Sequence, residues 1–158
     1  KQGSGRLTLG GASTYTGGTT LSAGIIQVTT ATALGTGSLA MGAFTTLEAG
    51  ASVALANAIS LTATTNIDTA ANTLTLNGVI SGAGATDLDK LGAGTLVLNG
   101  ANTYAGVTNL NAGTISVGNA AALSTGALNM ATGTTLQAGG SEERRVGNEC
   151  RSRWSPYH

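Results

Sequence analysis

The stretch Thr73-Leu74-Thr75-Leu76-Asn77-Gly78 returns further along the chain as Thr95-Leu96-Val97-Leu98-Asn99-Gly100. Its Leu-x-Leu core alternates apolar and polar positions, which turns one face of a short strand inward and leaves the hydroxyl neighbours outside. The Asn-Gly that follows accepts positive φ and closes the strand with a tight corner. Pairs of the same kind run along the chain at Leu7/Leu9, Ile26/Val28, Leu39/Met41, Ile59/Leu61, Ile115/Val117 and Leu128/Met130. Several recur at a common spacing, as from Leu7 to Ile26 and from Leu39 to Ile59. No segment sustains the apolar period of a helix, and the Ala-rich run at 120–123 is too short to stand as one.

A strand that meets its equivalent every ~20 residues is the mark of a solenoid whose coils stack on one another. The prediction is an all-β, right-handed parallel β-helix of roughly six coils, a rod about 30 Å long. An antiparallel β-sandwich also suits short strands with Gly-rich turns. It does not explain why like strands recur at coil length.

A longer repeat contains the short one. Shifted by about 89 residues, Gly3–Ser52 lies over Gly92–Ser141 without a gap, and more than half of the positions are identical. Thr14-Tyr15 meets Thr103-Tyr104, Ala23-Gly24 meets Ala112-Gly113, and Thr45-Thr46-Leu47 meets Thr134-Thr135-Leu136. Four coils of about 22 residues account for the unit. The expected organisation is a β-helical body at 1–141, with copies at 3–52 and 92–141, linking coils at 53–91, and a separate tail at 142–158.

Charged residues make up 9% of the 158 positions and aromatics 3%, and the formal net charge is zero. Residues 1–141 hold only Lys1, Arg6, Lys90, Glu48, Asp68, Asp87 and Asp89, with no Cys, His, Trp or Pro. A neutral chain lacks the basic field on which nucleic-acid binding depends, so no nucleic acid is expected as a partner. No stretch approaches the length of an apolar membrane helix. Thiol and imidazole chemistry are excluded from the body, and the absence of cysteine leaves the redox compartment open.

Asp87 and Asp89, with Lys90, form the single charged cluster of the body. Paired carboxylates can serve as acid and base on a glycan, and in a strand the two aspartates share a face. With no His, Arg or third carboxylate near them, they read as a solvated loop between coils. Gly82-Ala83-Gly84-Ala85-Thr86-Asp87 misses the calcium-repeat spacing by one residue. Gly3-x-Gly5 and Gly82-x-Gly84 lack the Gly-Lys-Ser/Thr or nucleotide-fold context of a phosphate loop. Tyr15 and Tyr104 read as ordering a Gly-rich turn rather than as a sugar-stacking platform. Flat threonine arrays can bind ice, but the Thr-x-Thr pairs do not recur at coil spacing. No catalytic, cofactor-binding or metal-ligating residue is assigned, and no enzyme activity is expected.

The run Gly92-Ala93-Gly94-Thr95-Leu96-Val97-Leu98-Asn99-Gly100-Ala101-Asn102-Thr103-Tyr104-Ala105-Gly106-Val107-Thr108, followed by Ala112-Gly113-Thr114-Ile115-Ser116-Val117, resembles the autotransporter-associated β-strand repeat, also called the passenger-associated transport repeat. The first copy carries the resemblance as Gly3, Gly5, Leu7, Leu9, Tyr15, Gly17, Gly24, Ile26 and Val28, with Arg6 and Ser13 as departures. The second carries it as Gly92, Gly94, Leu96, Leu98, Tyr104, Gly106, Gly113, Ile115 and Val117. The resemblance implies structural roles for these residues in the β-helical stalk of a type V secreted passenger from a Gram-negative bacterium. It also implies secretion across the outer membrane, display at the cell surface, and a part in adhesion or virulence. Implied partners are neighbouring coils of the parent chain, a C-terminal translocator barrel, and a host surface or glycan. The alternative function is a carbohydrate-binding or carbohydrate-cleaving β-helix.

The repeat stops at Ser141. The remainder, SEERRVGNECRSRWSPYH, holds half of all the charges and the sole Cys, Trp, Pro and His. It resembles a translated sequencing-adaptor or vector read-through, and a disordered, non-native tail is expected at 142–158. The alternative is a basic tail that binds a partner. With no initiator Met and no signal peptide at its start, the sequence reads as an internal fragment.

Overall fold

The computed structural model describes residues 1–139, where sixteen short strands assemble into three parallel sheets. The first sheet stacks β1 (Arg6–Leu9), β3 (Ile25–Val28), β5 (Thr46–Ala49), β8 (Thr65–Asp68), β11 (Leu88–Leu91), β13 (Thr108–Leu110) and β15 (Leu128–Met130). The second stacks β2 (Thr19–Leu21), β4 (Leu39–Met41), β7 (Ile59–Leu61) and β10 (Ile80–Gly82). The third stacks β6 (Val53–Leu55), β9 (Thr73–Leu76), β12 (Thr95–Leu98), β14 (Thr114–Val117) and β16 (Thr135–Ala138). The chain is a three-faced parallel β-solenoid, and no described strand pair is antiparallel. The expected tail at 142–158 lies outside the described residues.

Equivalent residues stack as the sequence period predicts. Leu7 pairs with Ile26, Leu39 with Ile59, and Leu74 with Leu96. Down the first sheet one inward column reads Leu7, Ile26, Leu47, Ile67, Lys90, Leu110, Met130. The seven strands of that sheet mark seven turns, one more than the six expected. The reason is that most steps of this column are shorter than the spacing from Leu74 to Leu96 on which the expectation rested.

The inward columns of all three faces merge into one core. Leu21, Ile26, Leu47, Ile67, Leu74 and Leu96 are each fully buried, and each contributes about 1.5–3 kcal/mol by leaving water. The outward columns differ between faces. Thr20, Ala40, Ser60 and Ser81 line the second face. Thr73, Thr95, Thr114 and Thr135 stand in register on the third. The first face holds Arg6, Glu48, Asp68 and Asp89, most of the charge of the body.

The long repeat is not a whole number of turns. The steps from β1 to β11 carry the chain from Leu7 to Lys90, and a short further stretch brings it round a corner to Leu96 in β12, on the third face. Each copy is therefore turned by one face relative to the other. Strand β2 of the second face corresponds to β13 of the first, and β3 of the first corresponds to β14 of the third. This corrects the expectation of four complete coils per unit. All three faces use the same inward Leu-x-Leu code, so sequence identity alone does not reveal which face a strand occupies.

Candidate functional site

The Thr-Tyr-x-Gly signature shared by the two copies makes no strand. Residues 10–18 and 99–107, which contain it, each take the place of a strand on one face. In the first copy the third face is missing there, and in the second copy the second face is missing. A further excursion lies over each, at 29–38 and 118–127. Ser13 N donates to Thr32 O at 3.2 Å, and its equivalent Asn102 N donates to Ala121 O at 3.1 Å.

Tyrosine fills the volume that strand side chains leave. Tyr104 is fully buried, and its hydroxyl shares a 2.6 Å hydrogen bond with Thr108 Oγ1. Burial pushes the Tyr104 hydroxyl pKa up, opposed by the Thr108 hydrogen bond. Tyr15 makes the same contact with Thr19 at 2.6 Å but is 41% exposed, since no turn lies beneath it among the described residues. Asn102 then closes the edge of β10. Its Oδ1 accepts from Ile80 N at 2.8 Å, Thr103 N donates to Ile80 O at 2.9 Å, and its Nδ2 donates to Ala122 O at 2.6 Å. Ser13 occupies this position in the first copy, where there is no described strand below to close. Asn102 escaped the sequence reading, although its replacement by Ser13 is a visible difference between the copies.

The motif glycines divide by what lies beneath them. Gly24 and Gly113 adopt φ of +78° and +71°, and a Cβ on either would collide with backbone carbonyls of the preceding turn, Gly3 O and Gly94 O respectively. Gly92, Gly94 and Gly106 likewise press on the backbone of the turn below, whereas Gly3, Gly5 and Gly17 have open space. Of the apolar motif residues, Ile26, Val28, Leu96, Leu98 and Ile115 are fully buried. Leu9 and Val117 are partly buried against the same core, and Leu7, in the first turn, is 40% exposed.

The aspartates are not a solvated loop. Asp89 lies in β11 and Asp87 just before it, both pointing outward from the first face. Asp87 Oδ1 accepts from Val107 N at 2.8 Å, and Asp89 Oδ1 accepts from Asn109 Nδ2 at 2.6 Å. Asn129 Nδ2 extends the ladder to Asn109 Oδ1 at 3.0 Å. On the same face Arg6 pairs with Glu48 at 2.8 Å, and Gln27 Nε2 donates to the other Glu48 oxygen at 2.7 Å. These carboxylates accept hydrogen bonds that tie one turn to the next. Lys90 leaves the cluster altogether, because strand alternation turns it into the core.

As expected from the sequence, Thr-x-Thr pairs do not recur at coil spacing, although one half of the pair does. Thr73, Thr95, Thr114 and Thr135 do recur at coil spacing, as a single column. The neighbouring column is mixed, with Ala54, Thr75, Val97, Ser116 and Gln137. Among the described residues no three His, Cys, Asp or Glu side chains gather as metal ligands.

A narrow parallel solenoid that carries the same long unit twice defines a repeat protein. The passenger-associated-transport-repeat family model matches residues 1–28 and 88–117. The family model thus matches twice, once in each copy of the long unit. No curated protein and no solved structure matches it significantly.

Proposed function

We propose that this chain is a non-catalytic stalk segment of an autotransporter passenger, which spaces and displays other domains at the surface of a Gram-negative bacterium and assists their secretion. The observation that carries the reading is the coincidence of the family match with both copies of the unit. Physical chemistry supports it. Strand pairing among the described residues runs only between adjacent turns, so a chain emerging from a pore can fold turn by turn, each turn templating the next. Cysteine is absent from residues 1–141, so no cross-link within them hinders threading.

Residues 1–139 can be inserted between a reporter domain and a translocator barrel in a Gram-negative host. Surface reporter, measured by protease accessibility on intact cells, is expected to exceed that of an equally long flexible linker. Equal display by the two fusions would refute the reading.

A further inference from the structure

Shifted by the repeat length, Lys90 falls on Lys1. Lys90 is fully buried, in a column whose neighbours above and below are Ile67 and Leu110. Its Nζ donates to Leu91 O and Gly92 O at 2.8 Å each, and to Ala112 O at 3.1 Å. Leu91 O also receives Thr69 N and Thr69 Oγ1. Gly92 O and Ala112 O have no other donor among the described residues. Lys1 repeats the pattern on the neighbouring face, where its Nζ donates to Gly3 O and, at 3.2 Å, to Ala23 O. Gly3 and Ala23 are the repeat equivalents of Gly92 and Ala112.

We propose that this inward lysine is a corner clamp built into the repeat: one ammonium binds carbonyls from two successive corners and ties the turn that opens each copy to the next. The need arises at Gly92 and Gly113, which turn the chain with φ values of +78° and +71° and beside which no backbone amide among the described residues reaches Gly92 O or Ala112 O. A buried group with three donors meets that need where a leucine could not.

Burial of the ammonium is unfavourable, and it lowers the Lys90 pKa to about 8, with Asp68 on the adjacent β8 opposing the shift. Asp89 faces outward on the same strand, and β13 on the other side presents Thr108, Asn109 and Leu110 with no titratable group. Replacing the lysine with an apolar side chain of similar length removes the desolvation cost but leaves Gly92 O and Ala112 O without a donor.

Amide hydrogen exchange on the full 158-residue chain tests this. In Lys90→Met the Asn111 and Thr114 amides, which donate to Lys90 O and Gly94 O at this corner, should exchange about tenfold faster, the loss expected for hydrogen bonds to a charged donor. Those of Ile59–Leu61 should stay within about twofold of the parent. Lys1→Met removes a half-buried side chain and cannot empty the core; it should produce the same local acceleration at the Ala23 and Ile25 amides, which donate to Lys1 O and Gly5 O. Unchanged exchange at either corner, or an acceleration spread evenly over the chain or accompanied by global unfolding, overturns the proposal.

Discussion

Gly113 and Gly133 separate two costs that are usually confounded. Both adopt positive φ, +71° and +81°, but a Cβ on Gly133 meets nothing within 4 Å, whereas one on Gly113 would collide with Gly94 O and Gly92 O. For Gly133→Ala only the torsion matters. Left-handed backbone costs a non-glycine residue about 1–2 kcal/mol, and reduced freedom of the unfolded chain returns about 0.4–1 kcal/mol. The net loss is about 1 kcal/mol, a fall in Tm of roughly 2–4 °C for a chain of this size. Gly113→Ala adds an overlap with the backbone of the turn below, which cannot swing aside as a flexible side chain would. The two turns must part, straining the bond from Thr114 N to Gly94 O at 3.1 Å between them, and the displaced corner strains that from Thr135 N to Gly113 O at 3.0 Å to the following turn. At about 1 kcal/mol for each bond, the total approaches about 3 kcal/mol, a Tm fall of roughly 6–12 °C. Thermal unfolding followed by far-ultraviolet circular dichroism measures both variants. If the two fall by the same amount, close approach between turns is not what selects glycine at this corner.

Three further outcomes are expected. Phe44 has φ of +54° and is 78% exposed, while its repeat equivalent is Gly133, so Phe44→Gly should gain about 0.5–1 kcal/mol by relieving the torsion; an unchanged or lower urea midpoint would count against this. Thr65 Oγ1 is buried with no hydrogen-bond partner, and Thr65→Val should raise stability by about 1 kcal/mol; a loss on chemical denaturation would show that the hydroxyl is satisfied. Lys90 loses its proton near pH 8 when folded but only near 10.5 when unfolded, so stability should be flat below pH 8 and rise from there towards 10. Above pH 10 the raised pKa of Tyr104 acts in the opposite direction, since the unfolded chain ionises first. Lys90→Met should abolish the rise, and its persistence in a urea-midpoint series would assign it to another group.

Much of the architecture is legible because a solenoid repeats its instructions. Leu7 over Ile26, Leu39 over Ile59 and Leu74 over Leu96 follow from spacing alone. Other strands are hidden by composition: β2, β6 and β13 are three residues long, and each offers one or two apolar side chains among polar or small ones. The direction of Lys90 was implicit in the alternation Asp87, Leu88, Asp89, Lys90, since the aspartates cannot face outward unless the lysine faces in. Charge argued for the opposite reading, because an ammonium enters a core only where carbonyls await it, and those come from Gly92 and from Ala112 in the following turn. The tyrosine segments look like turns in sequence, and only the stacking of the faces shows that they replace whole strands.

The one-face offset between copies has a mechanical consequence. Each copy carries an irregular side, where loops stand in for strands, and such a side packs and flexes differently from its two regular neighbours. Were successive units in phase, these sides would line up and the shaft would bend steadily towards one direction. An offset of one face distributes the asymmetry around the axis, so that after three units every side has been weakened once and the bending moments cancel. A shaft assembled from such units has no single side towards which every unit bends.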